Sequence, residues 1–395
     1  MSGGSQRLRT DRLELVHHYV GGDGEAALQS LLAGFGERHS ELSVRETHYD
    51  NMRLRVKSRI LGQDPPDAWT GWPGGEIEGY ADVNVVADIT ELWEATGMVE
   101  NYREVAADAA RVDGRYYAIP ITVHRINDLY VNVEAAEAAG IDPAQTRDPT
   151  EFVEQLEAAD DESEGPTMLL PMADPFPTLQ LWEVTLLGLS DHRTFREITD
   201  GNAARHRDAI RRAMEHVGRF AAVASDDAVY EGLTDTNEQF VDGAAPVYPQ
   251  GDWAGGVFVE TDDFTFGADW DRIAFPGTEN MYAVVLDAVI PSASSESDAL
   301  TTFLEYVGSA DAQERFARNK GSLPARTDVS MQGFGDFARS QKTQFDQSTE
   351  HPQTITHGLS VSPAQLVDLK SAIATYLDSR DEAATTDEMI EIFDR

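Results

Sequence analysis

The segment that most restricts the fold lies near the start of the chain, where a strand, a glycine turn, a helix and a second strand follow one another closely. LELVHHYV (residues 13–20) and ELSVRETHY (41–49) are rich in strand-forming residues, and the residues between them have helical spacing. The helix is predicted over 25–39, and its apolar face carries Ala27, Leu28, Leu31, Leu32 and Phe35. A βαβ opening of this kind predicts an α/β fold.

Strand and helix patterns alternate along the remaining chain. A second amphipathic helix ends near Gly62, and the strand after it delivers Trp69 and Trp72. Strands are predicted over 115–132 and 281–291, and a helix with Thr150 as its N-cap follows the first of them. Further helices are predicted over 176–188, 202–221, 227–242, 297–309, 310–319, 362–378 and 386–394. The 395 residues suffice for two hydrophobic cores, so we expect two lobes.

Acidic side chains dominate the composition, with 70 Asp and Glu against 31 Lys and Arg and a formal net charge of -39. Lysine is scarce, since only Lys57, Lys320, Lys342 and Lys370 occur and arginine supplies the other fixed positive charges. Nucleic acid is excluded as a partner because phosphate contacts need a basic surface. So acidic a surface repels itself in dilute salt and is screened at molar salt, which indicates a protein of an extreme halophile, with an archaeon as the expected source.

Cysteine is absent, which excludes disulfides, thiolate nucleophiles and cysteine-based zinc sites. The chain has no run of about 18 apolar residues and no signal-peptide pattern, so we expect it to be soluble as given. Its first five residues, MSGGS, have the composition of a flexible spacer. Spacers like this often follow the lipidated cysteine of a surface lipoprotein, so we expect a lipid anchor at the extracellular face of the membrane.

The glycine turn permits a second interpretation, because Gly22-x-Gly24-x-x-Ala27 fits the loose form of the dinucleotide fingerprint. Glu46, about twenty residues further on, could imitate the carboxylate that binds the ribose. The strand before the turn, however, ends in large polar-tipped side chains that would crowd a pyrophosphate. A tight turn into a helix needs the same glycines without any nucleotide. An NAD-dependent oxidoreductase is therefore the alternative hypothesis.

Paired carboxylates allow a third interpretation, a glycoside-acting enzyme. Asp252, Asp287 and Glu76 are all predicted at strand ends, and a glycosidase needs two carboxyl groups at a set separation. Among seventy acidic residues such a pairing has no specificity, and neither a Gly-x-Ser-x-Gly elbow nor an HExxH motif occurs. His17 and His18 could bind a metal, but consecutive strand residues point to opposite faces. We therefore predict no metal, no cofactor and no catalytic residue.

Aromatic and hydrogen-bonding side chains recur where predicted strands end or helices begin, and they come from the whole length of the chain. Aromatic rings stack on the C–H face of a sugar, and charged or amide groups bind its hydroxyls. This pattern favours a neutral polyhydroxy ligand in a cleft. The residues concerned are His18, Tyr19, Trp69, Trp72, His124, Arg125, Trp182, Asp252, Trp253, Tyr282, Asp287, Lys320 and His357.

Eight segments in order along the chain extend this interpretation, because together they resemble one family. The chain is similar to the extracellular solute-binding proteins of ABC sugar importers, and most similar to the branch that contains glucose/mannose-binding proteins of bacteria and archaea. The matching segments are LELVHHYVGGDGEAALQSLLAGFGERHSELSV, SRILGQDPPDAW, YYAIPITVHRIN, DPTEFVEQL, YPQGDWAGG, FPGTENMYAVVLDAVIPSA, NKGSLPARTD and THGLSVSP. The resemblance covers nearly the whole chain.

Residue by residue, the resemblance implies a set of ligand contacts and leaves one of them open, since either Asp23 or Glu25 would face the ligand. The implied contacts are His18, Tyr19, Asp23 or Glu25, Thr70, Trp72, His124, Asp252, Trp253, Asp287, Lys320 and His357. Relatives commonly carry a tryptophan pair where this chain has His18 and Tyr19, and close relatives have Gln and His where it has Thr70 and Trp72. These departures leave the identity of the sugar open. Trp182, Arg125 and Asn127 also match the family but are expected to brace the fold.

The resemblance implies a two-lobed, type II periplasmic-binding-protein-like α/β fold with a ligand cleft between the lobes. The N-terminal lobe is predicted over 1–122 plus 291–328, and the C-terminal lobe over 123–290 plus 329–395. The implied function is capture of a monosaccharide, glucose or a similar aldose, and its delivery to the membrane permease of an ABC transporter. The protein is expected to act as a monomer and to catalyse nothing, because the mechanism is closure on the ligand.

Overall fold

The fold was analysed in a computed structural model that describes residues 11–49, 51–161, 165–225, 227–295 and 297–395. The MSGGS spacer lies outside the described residues. Contacts along the chain divide it into two compact units. Unit 1 consists of Met1–Val123 and Leu286–Gly333, and unit 2 consists of His124–Val285 and Phe334–Arg395.

Strands and helices alternate in both units. The strands are β1 (Arg12–His17), β2 (Ser43–His48), β3 (Ala68–Gly71), β4 (Arg111–Val112), β5 (Arg115–Tyr116), β6 (Ile119–Arg125), β7 (Asp128–Asn132), β8 (Val247–Gln250), β9 (Trp270–Ala274), β10 (Val284–Pro291) and β11 (Leu323–Pro324). The helices are α1 (Gly22–Arg38), α2 (Met52–Leu61), α3 (Gly75–Ala81), α4 (Thr90–Ala95), α5 (Met98–Asn101), α6 (Glu104–Ala109), α7 (Val133–Ala139), α8 (Pro149–Asp160), α9 (Pro175–Leu189), α10 (His192–Glu197), α11 (Arg207–Ala222), α12 (Leu233–Val241), α13 (Asp252–Val259), α14 (Asp298–Val307), α15 (Ala310–Lys320), α16 (Asp336–Gln347), α17 (Pro363–Ser379) and α18 (Glu382–Phe393).

Unit 1 is built on a six-stranded sheet of order β11-β6-β10-β3-β1-β2. Strand β1 pairs in parallel with β2 and with β3, whereas β10 pairs antiparallel with β3 and β11 antiparallel with β6. The parallel pairs are the product of βα crossovers through α1 and α2, as the sequence pattern predicts. Strand β10 returns to this sheet from the distant part of the chain, so Asp287 comes to lie beside the end of β3.

The first helix covers one face of this sheet. Its N-cap, Gly21, has φ = 71°, a left-handed conformation that suits glycine, and the helix begins at Gly22. The helix thus starts three residues before the predicted position and ends one residue earlier, at Arg38. Four of the five predicted face residues are buried, whereas Leu32 is partly exposed. Helix α1 packs against α15, which brings Lys320 towards the glycine turn.

Unit 2 contains a three-stranded antiparallel sheet of order β8-β7-β9 and a layer of helices. Helix α9 lies at the centre of that layer, and its eleven residues Pro177–Leu187 are all buried. An aromatic core joins the sheet to helices α12, α13 and α16. It consists of Tyr130, Leu169, Phe240, Ala245, Tyr248, Ala254, Phe258, Trp270 and Phe337.

Some helix predictions are wrong in detail. The N-cap of α8 is Asp148, not Thr150, because the Asp148 carboxylate accepts the N–H groups of Thr150 and Glu151. The helix predicted over 227–242 is a short 3-10 turn, Ala228–Tyr230, followed by α12, and a Gly232 N-cap separates the two. Helix α16 was not predicted, since its sequence DFARSQKTQFDQ is largely polar and only a narrow stripe of it is buried.

The longest described helices, α1 and α17, have 17 residues each. Both expose one polar face, which is typical of helices at the surface of a globular unit. Within the described ranges, no helix combines the length and the apolar character that a membrane span requires.

Candidate functional site

Asp287 is the centre of a group of side chains in unit 1. Its carboxylate lies in β10 and accepts the Tyr19 hydroxyl at Oδ2 (2.9 Å) and the Trp72 indole N–H at Oδ1 (3.1 Å). His18 Nε2 lies 3.8 Å from the same Oδ1. We call the seven residues of this neighbourhood the Asp287 group; they are His18, Tyr19, Asp23, Thr70, Trp72, Asp287 and Lys320.

Tyr19 occupies the inner side of this group. Its ring packs on Phe316 of α15 with centroids 5.3 Å apart. Burial, and after it the charge of Asp287, raises the pKa of Tyr19 well above its ordinary value. The phenol therefore stays protonated and acts as a hydrogen-bond donor, which holds Asp287 in place. Asp23 raises the same pKa further, so this carboxylate lies close to the phenol.

His18 and Thr70 lie on adjacent strand ends, as the parallel pairing of β1 and β3 dictates. The backbone N–H of His18 donates to Thr70 Oγ1 (3.3 Å), and His18 Nδ1 lies 3.0 Å from the same oxygen. The His18 side chain is 33% exposed, whereas Thr70 is buried. Thr70 thus orients the imidazole, and the imidazole presents its exposed part to solvent.

Trp72 follows β3 directly, and one face of its ring is covered. The guanidinium carbon of Arg53 in α2 lies 4.2 Å from the ring centroid, within the range of a cation–π contact. Glu76 holds that guanidinium through a 3.1 Å ion pair. The sequence did not single out Arg53, whose position on a polar stretch of α2 gives no signal of this contact.

Asp23 and Lys320 form an ion pair of 2.7 Å, although they lie 297 residues apart in the chain. Both side chains are largely buried, with 19% and 10% of their surface exposed. Asp23 sits in the first turn of α1 and Lys320 in the last turn of α15, so each charge also has a favourable position relative to its helix dipole. The pair brings two predicted contact residues together.

Glu25 has a different role from Asp23. It is exposed, and its Oε2 accepts the backbone N–H of Gly21 at 3.0 Å, which caps the turn before α1. The helix N-terminus where a dinucleotide phosphate would bind is thus occupied by a carboxylate. The Tyr19 ring closes the same space, since a Cβ on Gly24 would lie 3.2 Å from it. Glu46, the proposed ribose ligand, binds Gln29 instead.

Asp252 organises the corresponding part of unit 2. Its Oδ1 lies 2.7 Å from His124 Nδ1, and its Oδ2 accepts the backbone N–H of Arg125 at 3.1 Å. Only 1% of Asp252 is exposed. Because a carboxylate can only accept, the hydrogen bond fixes the proton of His124 on Nδ1.

Three other aromatic rings surround Trp253 at the start of α13. The Trp253 and His357 ring centroids are 5.4 Å apart, and those of Trp253 and His124 are 6.2 Å apart. Phe176, at the start of α9, lies edge-on to His357 at 5.1 Å and tilted to Trp253 at 6.4 Å. A Cβ on Gly251 would lie 2.3 Å from the indole, so glycine is required for this ring position. We call His124, Phe176, Asp252, Trp253 and His357 the Trp253 group.

Several candidate residues lie in the interior instead. The Trp69 and Tyr282 side chains are fully buried, and Trp182 packs on Phe393 in the helical layer. Arg125 is buried too and donates to Asn127, Gln344 and the carbonyl of Met281. These contacts are internal to each unit, so the residues brace the fold around the two groups.

His17, the last residue of β1, and His18, which follows it, do point in opposite directions. His17 is buried, with Nε2 3.7 Å from Glu46, whereas His18 is partly exposed. Within the described ranges, no three His, Cys, Asp or Glu side chains are arranged to hold a metal ion. The three carboxylates considered for hydrolysis each have a donor, since Glu76 binds Arg53, Asp252 binds His124 and Asp287 binds Tyr19.

Residues 21–314 match the protein family that is described as "Bacterial extracellular solute-binding protein". The match covers more than half of the chain and includes both α1 and β10. The chain belongs to the bacterial extracellular solute-binding protein family. Proteins of this family bind solutes and are not enzymes. The oxidoreductase and glycosidase hypotheses are therefore wrong. The carboxylate at the start of α1 is a separate argument against a dinucleotide at that position.

Proteins that are similar to this chain in sequence or in fold are also named as binding proteins. The solute-binding protein is 29% identical to "Xylose/arabinose-binding protein XacG" of Haloferax volcanii, over 96% of this chain and 84% of that protein. It is 24% identical to an uncharacterized ABC transporter extracellular-binding protein of Pyrococcus horikoshii, over 98% of this chain and 89% of that protein. A solved structure titled "Chitin oligosaccharide binding protein" superposes with a TM-score of 0.84, at 15% identity, over 97% of this chain and 98% of that one. The fold is thus the predicted type II solute-binding fold.

Proposed function

We propose that the protein captures a monosaccharide and delivers it to the membrane subunits of an ABC importer. The family match supports solute binding, and the names of the two relatives above connect that activity with ABC transport and with pentoses. The observation that carries the proposal is the Asp287 group, in which a carboxylate is held by Tyr19 and Trp72 beside a partly exposed His18. Carboxylates and imidazoles of this kind form hydrogen bonds with sugar hydroxyls.

The two groups offer complementary chemistry to a sugar. The Asp287 group supplies charged and polar atoms that accept from or donate to hydroxyls, each such hydrogen bond contributing about 1.5 to 3 kcal/mol. The Trp253 group supplies ring faces on which the C–H side of a pyranose or pentose stacks. We propose that both groups take part in binding, with His18, Tyr19, Asp23, Thr70, Trp72, Asp287 and Lys320 from one and His124, Asp252, Trp253 and His357 from the other.

The contacts suggest distinct roles inside this set. Glu25 caps the glycine turn, so we propose that Asp23 is the acidic contact of the first helix. Asp252 accepts a backbone N–H, which cannot turn away to make room for a hydroxyl, so we propose that it acts by orienting His124. Trp253, which is only partly buried, is the stacking surface. Trp72 is a weaker candidate for stacking, because Arg53 covers one of its faces.

Titration calorimetry in molar KCl tests the proposal directly. The panel contains xylose, arabinose, glucose, galactose, mannose, a chitin oligosaccharide and NAD. We expect saturable binding of at least one monosaccharide, with a pentose or glucose as the tightest ligand, and no binding of NAD. Tight binding of the oligosaccharide alone would replace the monosaccharide by a longer glycan, and binding of NAD with no sugar would contradict the proposal altogether.

Two substitutions test where the sugar binds. Trp253→Ala and Asp287→Ala are each expected to weaken binding at least tenfold, or about 1.4 kcal/mol, without unfolding the protein. Tyr230→Ala is the matched control for the tryptophan, since Tyr230 is an aromatic residue of unit 2 with 81% of its surface exposed. Normal binding by both variants would place the site elsewhere.

We also propose that the protein works in molar salt, as a monomer held by a lipid anchor at the extracellular face of the cell membrane. The net charge of -39 supports the first point, since ions at molar concentration screen the repulsion. The melting temperature is therefore expected to rise steeply between 0.2 and about 2 M KCl. Light scattering in 2 M KCl tests the oligomeric state, and mass spectrometry of the protein from native membranes tests the anchor.

A further inference from the structure

A single carboxylate lies inside the most buried helix of unit 2. Glu183 has 0% of its surface exposed, and it lies within the run Pro177–Leu187, in which every residue is buried. Ionised groups are strongly disfavoured in such surroundings unless they are hydrogen-bonded. A buried carboxylate in a helix that has no other ionisable side chain therefore points to a specific role for this group.

All described partners of this carboxylate belong to one short turn. Ile355 N–H donates to Oε1 (2.6 Å) and Thr356 N–H to Oε2 (3.0 Å), and the Thr356 hydroxyl also donates to Oε2. The turn is closed by a 2.7 Å hydrogen bond from Gly358 N–H to the carbonyl of Ile355. The next side chain along it is His357, whose ring packs against Trp253 and Phe176.

The protonation of Glu183 is finely balanced. Burial raises its pKa to about 7, although the three hydrogen bonds from Ile355 and Thr356 oppose that shift. Among the described residues, no charged side chain contributes to the shift. The groups that face the carboxylate are two backbone N–H groups and a hydroxyl, and the nearest titratable residue along the turn is His357.

We propose that Glu183 is a positioning residue of the ligand site, whose carboxylate holds the turn at 354–358 so that His357 lies beside Trp253 and Phe176. This inference rests on the proposed function, because it assumes that the Trp253 group contacts the sugar. It adds a residue that touches no ligand and lies one layer behind the rings.

The charge state of Glu183 controls how well it can hold the turn. An ionised carboxylate accepts from all three donors at once. A protonated carboxyl, or a glutamine, turns a donor towards one of the two backbone N–H groups, so at least one bond is lost. The turn is then less constrained, and His357 is less well oriented for binding.

The test compares sugar affinity of the wild type and Glu183→Gln at pH 8.5 and pH 5.5 in 2 M KCl, using the tightest monosaccharide of the panel. We expect Kd of the variant to exceed that of the wild type at least fivefold at pH 8.5, and the ratio to approach one at pH 5.5. Any effect of pH on the rest of the site is common to both proteins, so it cancels in the ratio. Thr185→Val, a buried polar position of the same helix, is the control and should bind as the wild type does.

Hydrogen exchange gives a readout that needs no sugar. At pH 8.5 the peptide covering 350–361 is expected to exchange at least threefold faster in Glu183→Gln than in the wild type. Thr356→Val removes only the hydroxyl donor, so it should give a smaller change of the same sign. Glu183→Gln should also be more thermally stable than the wild type at pH 8.5, because the buried charge is gone. A residue needed only for packing would lower stability and affinity together.

Three results would overturn the inference. They are unchanged exchange of the 350–361 peptide in Glu183→Gln, an affinity equal to that of the wild type at pH 8.5, and an affinity loss that is the same at both pH values. If the wild type binds no sugar of the panel, the proposed function fails, while exchange of the peptide still decides whether Glu183 holds the turn. A fourth result, slower exchange of the peptide in the variant, would also contradict the inference.

Discussion

The Asp287 group and the Trp253 group each hold a carboxylate in place, but they do so with different kinds of hydrogen-bond donor. Asp287 is held by two side chains that come from separate parts of unit 1, Tyr19 and Trp72, and 4% of it is exposed. Asp252 is held by a histidine and by a backbone N–H of β6, and 1% of it is exposed. Glu183 resembles Asp252, since its partners are mostly backbone groups.

The difference indicates which carboxylates meet a ligand and which act through other residues. A carboxylate held by side-chain donors can exchange a partner for a sugar hydroxyl, because a side chain can turn away from it. A carboxylate with backbone partners cannot, because a backbone N–H is fixed in place and would lose its acceptor. The carboxylates with backbone partners should therefore matter more for stability, and those with side-chain partners more for affinity.

The largest effect on the free energy of unfolding is expected at Glu183. Its pKa is about 7 in the fold against an ordinary value of 4.5, which corresponds to about 3 kcal/mol. Since the folded pKa is raised, the stabilising contribution is complete below pH 4.5 and is lost as pH rises through 7. Urea unfolding in 2 M KCl should show equal stability of the wild type and Glu183→Gln near pH 4.5, and a variant more stable by up to about 3 kcal/mol at pH 8.5. A constant difference across this range would show that the carboxylate does not titrate there.

The next largest effect on stability is expected for Asp252→Asn. Asp287→Asn is the corresponding variant in the Asp287 group. The asparagine amide at 252 leaves either His124 or the Arg125 N–H without an acceptor, so we expect the free energy of unfolding to fall by about 1 to 3 kcal/mol. Asp287→Asn should cost less than about 1 kcal/mol in stability while it weakens sugar binding more than tenfold. Equal losses of stability in the two variants would remove the distinction between the groups.

Loss of the Asp23–Lys320 ion pair should weaken the free energy of sugar binding by about 1 kcal/mol. Lys320→Met and Asp23→Asn are each expected to weaken sugar binding three- to tenfold, and the double variant should be no weaker than the worse single one. This non-additivity is expected because each residue orients the other. Calorimetry on the four proteins of the cycle measures the coupling, and strictly additive losses would mean that the two residues act independently.

Glu25→Gln should have the smallest effect. A glutamine oxygen can still accept the Gly21 N–H, and the side chain is exposed, so we expect changes below about 0.5 kcal/mol in stability and below twofold in affinity. Asp23→Asn is the comparison at the neighbouring position of the same turn. If Glu25→Gln weakened binding more than Asp23→Asn, Glu25 would be the acidic contact of α1.

The sequence was sufficient to predict the α/β class and most helices, because strand and helix periodicities are strong where one face is buried. Predictions were wrong where the local signal is weak. The break before α12 depends on a single glycine cap, and α16 buries only a few residues of a polar segment. The start of α1 moved to Gly22 because the left-handed Gly21, not the first good helix former, sets the N-cap.

The candidate site could be predicted only in part, for a related reason. Strand ends and scarce residue types pointed to Asp287 and Lys320, but no local pattern reveals a contact over 297 residues such as Asp23 with Lys320. Phe176 was overlooked because an aromatic residue at the start of an apolar helix is usually core. Glu183 carried a usable signal, a lone charge within TLQLWEVTLLGL, whose meaning depends on the distant turn it binds.

The close approach of Trp253 to Gly251 limits how this surface can change over evolutionary time. With only 2.3 Å from a hypothetical Cβ to the indole, even alanine at 251 would force the ring to rotate. Position 253 can exchange one aromatic side chain for another and so adapt to a new solute, but position 251 has no substitute of any size. A lineage that replaced Gly251 first would lose the orientation of the Trp253 ring before a preference for a new solute could be selected.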